Sequence, residues 1–226
     1  MALSSARPFS DDSRVYVVNR KQGLQPGESM SAISGHLATA IEDEFGGPVF
    51  LTGSSTGGSV ALQLAVDRPD LVRALVMVSS ACRLGPRGRQ IQQDLARLTR
   101  SGDAAGGFAR LMTALLMPAP LRGPAYPVAR VFCRSMAPED PADMLVTLDA
   151  EDAFDVGEQL DRVSAPTLVI GGAKDVLYTR ELFEPTASGV QDGRAHIYPD
   201  RGHLGTVGVS TTAHLTLGFL LAARRP

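Results

Sequence analysis

Cysteine is scarce in this sequence: Cys82 and Cys133 are the only two. Two isolated thiols exclude a disulfide framework and fit a reducing compartment, so a cytoplasmic location is expected. Histidine is scarce as well. His36, His196, His203 and His214 are scattered, and neither they nor the cysteines have metal-ligand spacing. No metal and no cofactor is therefore expected. Lysine is confined to Lys21 and Lys174, and arginine carries nearly all the positive charge, for a formal net charge of −2. That balance excludes the basic face of a nucleic-acid binder. No apolar run approaches membrane-spanning length, and Met1–Asp12 lacks the basic-then-apolar order of a signal peptide. What remains is a 226-residue chain with 44% hydrophobic residues, enough for one large α/β core with an insertion, or at most two small domains. No internal repeat is visible.

The most informative stretch is Val49–Ser59, Val-Phe-Leu-Thr-Gly-Ser-Ser-Thr-Gly-Gly-Ser. An apolar run stops at a glycine-rich turn, and a helical pattern follows at once through Val60, Ala61, Leu62, Leu64 and Ala65. The order is strand, sharp turn, helix, with Ser55 at the apex of Gly-x-Ser-x-Gly. Small residues on both sides, Gly53 and Gly57, keep strand and helix from colliding. The serine hydroxyl is then exposed at a helix N-terminus, where free N–H groups favour developing negative charge. Ser54 lacks such neighbours, since Thr52 and Thr56 flank it at the same offsets. Gly53 and Gly58 have the spacing of a phosphate-binding loop, but Ser59 stands where that loop requires lysine.

Two further segments follow in order. Pro166–Asp175 reads as a buried strand, Thr167–Ile170, that runs through a glycine turn to Asp175. Ala195–Gly205 reads as a strand, Ala195–Tyr198, and a loop carrying His203. Serine, then aspartate, then histidine is the chain order of the α/β-hydrolase triad. Together, Gly-Ser-Ser-Thr-Gly-Gly, Ala-Pro-Thr-Leu-Val-Ile-Gly-Gly-Ala-Lys-Asp and Asp-Arg-Gly-His resemble the nucleophile, acid and histidine segments of the α/β-hydrolase family. The resemblance runs from about Arg14 to the C-terminus and is weakest between Arg83 and Ala150. It implies an α/β fold: a mostly parallel sheet with helices on both faces and a helical lid insertion. Residues 1–82 and 151–226 would form the core and residues 83–150 the lid. It also implies Ser55 as nucleophile, His203 as base and Asp175 as the acid. The competing residues read otherwise. His196 falls in a strand pattern, and His36 and His214 fall on helices. Asp200 shares the loop of His203. Asp149, Asp152, Asp155 and Asp161 precede or decorate a helix.

The remaining patterns fit this outline. Arg14–Asn19 is a β-branched strand pattern. Ser29–Phe45 has apolar residues three to four apart and stops at Gly46-Gly47. Ala74–Ser79 is a continuous apolar strand, and a last helix covers Thr211–Ala223. Between Arg83 and Ala150, helical pieces (Ile91–Leu98 and Phe108–Leu116) are separated by Pro118, Pro120, Pro124, Pro127, Pro138 and Pro141. As a lid this stretch would wall the substrate pocket, with Phe108, Met112 and Leu116 as candidate binding residues beside Leu111, Leu115 and Met117. Each could equally bury the insertion against the core. The arginines at 83, 87, 89, 97 and 100 read mainly as a solvated face.

The resemblance also marks a departure. The family has strands before the one matched by Arg14–Asn19. One of them is central, between that strand and the one matched by Val49–Thr52, and ends in a His-Gly or Pro-Gly turn whose N–H completes the oxyanion hole. Met1–Ser5 looks like the residues just after that turn, and Arg7-Pro8-Phe9 like the remnant of the next helix. These early strands are expected to be missing, either from a start assigned too far downstream, which the cost of unpaired backbone groups favours, or from the loss of half the sheet in a complete chain. Arg14–Asn19 should then pair directly with Val49–Thr52 or be poorly supported. A sheet lacking a strand could recruit a neighbour's edge, so a homodimer is possible. The oxyanion donors would be the N–H of Thr56 and one from Met1, Ala2 or Leu3, with Ala2 as the candidate.

The chemistry implied is serine hydrolysis of a small-molecule ester, thioester, lactone or amide, falling off in acid as His203 protonates. Two other readings stay open. The same triad could serve C–C hydrolysis, acyl transfer or perhydrolysis, since Ser-Thr-Gly-Gly is similar to the elbow of the perhydrolase-like group. The fold could also serve as a non-catalytic ligand-binding protein. An aspartate nucleophile, as in epoxide or haloalkane hydrolases, is disfavoured by Ser55.

Overall fold

A computed structural model describes Phe9 and residues 13–224 of the chain. Among the described residues, four strands make one parallel sheet: β1 (Val49–Ser54), β2 (Val72–Val78), β3 (Thr167–Gly172) and β4 (Gly193–Tyr198), adjacent in that order. Parallel neighbours need crossovers. Helix α2 (Thr56–Asp67) links β1 to β2, and α7 (Arg180–Gly189) links β3 to β4. The β2–β3 crossover holds the whole insertion: α3 (Pro86–Arg100), α4 (Ala104–Leu116), α5 (Arg122–Phe132) and α6 (Ala142–Asp152). Helix α1 (Met30–Phe45) precedes the sheet. A short α8 (His203–Val207) and α9 (Ser210–Ala222) close the chain. This is the expected α/β fold.

Alternation along the strands sends side chains to both faces. Leu75, Met77 and Val169 join the larger core, which also holds Ile33 and Ile41 of α1, Leu62 of α2 and Phe183 of α7. Val76, Val78, Leu168 and Ile170 point the other way and pack with Tyr198, Val207, Phe219 and Leu220. Strands covered on both faces read as continuous apolar runs. That is why β2 and β3 stood out in the sequence.

Helix α1 stops where its sequence says it should. The Ser29 hydroxyl accepts a hydrogen bond from Ala32 N–H at the start, and Gly46 takes a left-handed φ of 63° at the end. Proline was a poorer guide. Pro124 and Pro127 do not separate helical pieces; both lie inside α5. Pro124 falls in the first turn, where N–H groups have no helical partner, and Pro127 removes one ladder bond from a helix that continues to Phe132.

Of the two outcomes expected for segment 14–19, pairing with β1 or poor support, the structure has the second. The segment forms no strand, and Val15, Tyr16, Val17 and Val18 are 41–63% exposed. An apolar β-branched run becomes a strand only when it bonds to a partner, and this one does not pair with the open edge of β1. Among the described residues β1 pairs only with β2. Tyr16 instead rests edge-on against Phe45, with ring centroids 4.8 Å apart.

Among the described residues, no helix is long and apolar enough to cross a membrane and no His/Cys/Asp/Glu cluster could hold a metal. Cys82 and Cys133 are both free and buried. The outer arginines of the insertion are surface ion-pair partners: Arg83 with Asp155, Arg89 with Asp152, Arg97 with Asp94 and Arg100 with Asp149.

Candidate active site

The strand-to-helix turn holds Ser55 at φ 52° and ψ −130°, a conformation that L-residues rarely adopt and that costs roughly 1–3 kcal/mol. Its surroundings enforce it. Ser55 N–H donates to Val78 C=O at 3.0 Å, which pins the turn to the end of β2. A Cβ at Gly53 would lie 2.3 Å from the Gly57 carbonyl oxygen, so strand and helix touch backbone to backbone there. The Gly-x-Ser-x-Gly pattern predicts the same crowding at Gly57, but a Cβ there meets nothing within 4 Å. The second crowded glycine is Gly58, where a Cβ would sit 2.4 Å from Ser80 Cβ.

Asp175 leaves the end of β3 in a loop whose backbone receives it. Its Oδ1 accepts the N–H of Leu177 at 2.8 Å and of Tyr178 at 3.2 Å. Its Oδ2 lies 2.8 Å from His203 Nδ1, and both side chains are buried. His203 Nε2 lies 3.0 Å from Ser55 Oγ. One imidazole thus bridges the hydroxyl and the carboxylate. The loop that carries it is held from two sides. Ser79 Oγ donates to the His203 carbonyl at 3.1 Å, and a Cβ at Gly172 would meet the Arg201 carbonyl oxygen at 2.3 Å. Ser79 is itself left-handed, at φ 50°.

The competing residues lie elsewhere. His36 pairs with Glu28, His196 packs against Tyr198, and His214 Nδ1 lies 2.8 Å from the Ser210 carbonyl. On α4, Leu111 and Leu115 pack on the core, while Phe108 and Met112 are half-buried and Leu116 is 58% exposed. Helix α4 also packs against α8, which begins at His203. Thr56 is the first residue of α2, so its N–H has no partner inside that helix. Ala2, the other candidate donor, lies outside the described residues.

Sequence reasoning missed Glu151. It sits in the last turn of α6 and is 1% exposed. Its Oε2 accepts the Thr56 hydroxyl at 2.6 Å, and its Oε1 accepts the hydroxyls of Ser59 at 3.0 Å and Tyr178 at 2.7 Å. Burial, and after it the charge of Glu151, pushes the Tyr178 phenol well above its ordinary range, so it remains an O–H donor. The sequence did carry a signal. Val146, Thr147, Ala150 and Phe154 form the buried stripe of this segment, and Glu151 falls on it. A carboxylate on an apolar stripe is not a surface decoration.

The sequence model of the alpha/beta hydrolase family matches residues 3–210. A Klebsiella pneumoniae protein provisionally named carbamate hydrolase RutD is 26% identical over 205 residues, which are 90% of this chain and 77% of that protein. Its namesake from Variovorax paradoxus is 31% identical over 160 residues, 70% of this chain and 59% of that one. In structure, MGS-M2, an alpha/beta hydrolase enzyme from a Medee basin deep-sea metagenome library, superposes with a TM-score of 0.78 at 19% identity. That match covers 97% of this chain and 85% of the other. A thermophilic esterase from Thermogutta terrifontis gives 0.70 at 23% identity, covering 99% and 84%. At these identities the superpositions speak for the fold alone. The family match runs over nearly the whole chain and through all three segments that carry Ser55, Asp175 and His203, and the chain belongs to the alpha/beta hydrolase family of enzymes.

Proposed function

We propose that this chain is a serine hydrolase that cleaves a small ester, thioester, lactone or amide through an acyl-enzyme, with Ser55, His203 and Asp175 as its triad. One observation carries the reading: a single buried imidazole lies within hydrogen-bond distance of both the Ser55 hydroxyl and the Asp175 carboxylate. The relatives' names, carbamate hydrolase and, in a Neisseria meningitidis protein, pimeloyl-[acyl-carrier protein] methyl ester esterase, describe reactions at an acyl carbon and fit the same machinery.

Ser55 Oγ attacks the acyl carbon while His203 Nε2 takes its proton. Asp175, fixed by two backbone N–H groups, holds the Nδ1–H tautomer and stabilises the imidazolium. The tetrahedral oxyanion accepts a hydrogen bond from Thr56 N–H. His203 then returns the proton to the leaving alcohol, thiol or amine. Water, deprotonated by the same imidazole, releases the acid from Ser55. Residues 83–150 act as the lid, and Phe108, Met112 and Leu116 lie four residues apart along α4, the stripe we assign to the acyl or leaving-group wall.

Fluorophosphonate labelling tests the reading. Ser55 is expected to be labelled, with labelling lost in Ser55→Ala and His203→Ala. An ester panel with and without peroxide separates hydrolysis from perhydrolysis. Unlabelled Ser55, with ester cleavage unchanged in Ser55→Ala, would refute the proposal.

A further inference from the structure

We infer that Glu151 is a positioning residue for this reaction. Its carboxylate anchors the Thr56 side chain and thereby aims the Thr56 N–H at the oxyanion. The inference rests on the triad reading above.

The hydrogen bonds of Glu151 converge from the segments that carry the site. Thr56 directly follows the nucleophile and opens α2, and Ser59 lies one turn further on. Tyr178 lies in the acid loop. Its backbone N–H holds Asp175, its hydroxyl holds Glu151, and its ring stacks on the His203 imidazole with centroids 6.1 Å apart. Ser80, just past β2 and next to the residue that holds the His203 carbonyl, reaches the same network through Ser59 at 3.4 Å. A closed circuit results: Ser55, His203, Asp175, Tyr178, Glu151, Thr56 and back to Ser55.

The choice of residue is informative. A carboxylate removed from water is expensive unless it is fully hydrogen-bonded. Glu151 is held by three neutral hydroxyls. A leucine in this stripe would bury the helix at lower cost. What the carboxylate adds is direction: it only accepts, so each of the three hydroxyls must point its proton at it. The Thr56 side chain is thereby locked, and with it the first peptide of α2, whose N–H is the one assigned to the oxyanion. Small displacements of such a group cost large factors in rate, because its benefit depends on alignment at the moment charge develops.

Steady-state kinetics on p-nitrophenyl acetate test this with Glu151→Gln, Thr56→Val, Thr56→Ser and the Glu151→Gln/Thr56→Val pair. Glutamine keeps the volume of Glu151 but loses one acceptor. Valine keeps the shape of Thr56 but loses its hydroxyl, and serine retains a hydroxyl. We expect Glu151→Gln and Thr56→Val each to lower kcat by about tenfold to a hundredfold with KM little changed. The paired variant should be no slower than the slower single one, and Thr56→Ser should keep most of the rate. A purely structural tie would instead scale activity with the folded fraction, and a wall of the pocket would raise KM. Wild-type kcat in Thr56→Val, losses that multiply in the paired variant, or a change confined to KM would each overturn the inference. If Glu151→Gln does not fold, the Thr56→Val and Thr56→Ser comparison decides. Fluorophosphonate labelling of Ser55 separates the two failures. Labelling with wild-type kcat in the variants sinks only the role of Glu151. Absent labelling, with cleavage unchanged in Ser55→Ala, sinks the triad reading itself.

Discussion

The floor of the candidate site and the outer face of residues 83–150 both use carboxylates, in opposite ways. On the floor, Asp175 and Glu151 are buried and held by N–H and O–H donors with fixed directions. On the outer face, Asp94, Asp149 and Asp152 are partly or well exposed and meet arginines of α3, Arg97 one turn along the same helix and Arg100 and Arg89 across to α6. Water screens the second kind of pair, and two long side chains lose freedom to make it. A buried carboxylate has no water to fall back on, so every partner matters. Only the first kind of carboxylate can impose a geometry.

The sharpest way to break this contrast is Asp175→Asn. The amide cannot hold the same imidazole tautomer, and kcat is expected to fall on the order of 10,000-fold while the fold survives, as read by circular dichroism beside ester turnover. A loss of only a few fold would remove Asp175 from the triad. Packing at the floor gives the next largest effect. Gly53→Ala forces a methyl group against the Gly57 carbonyl and should cost roughly 1–3 kcal/mol or more, several degrees of Tm. Gly57→Ala meets open space and should leave Tm unchanged or raised. Equal Tm values for the two would contradict the backbone contact described here.

Asp103 is intermediate between the regions. It caps α4 through Gly106 N–H and pairs with Arg130 of α5. The Arg130 hydrogen bond, and then the Gly106 N–H, hold its carboxyl below the usual range. Because the folded value lies below the unfolded one of about 4, its stabilisation is complete above that pH and fades as pH falls through the folded value. Asp103→Ala should cost about 1 kcal/mol at neutral pH by denaturant titration, and less in acid. The smallest effect belongs to Asp149→Asn on the outer face, where neither Tm nor kcat should move beyond error. A clear loss there would mean that the outer ion pairs matter as the floor does.

Much of this is legible in the sequence alone. The turn at Ser55 announces itself because few residues tolerate a strained strand-to-helix corner, and Asp175 and His203 follow at strand ends in the expected order. Segment 14–19 is the opposite case: it has a strand pattern but takes the poorly supported outcome. Its β-branched run expresses a local preference, but a strand needs a neighbour to bond with, and propensity carries no record of neighbours. The prolines of α5 were misread as breaks, although one ladder bond lost in a packed helix is tolerable. Glu151 was passed over because its neighbours Asp149 and Asp152 do face solvent, and only its place on the buried stripe sets it apart.

By itself the sequence determined the alternation of strand and helix, the strained corner and the three candidate groups, Ser55, Asp175 and His203, since these follow from residue type, local order and spacing. The tertiary structure alone decided which carboxylates meet the imidazole and the first turn of α2. It also decided which glycine of the turn is crowded, and whether a strand-like run finds a partner. Those outcomes depend on segments far apart in the chain arriving at one place, and no local pattern encodes that arrival.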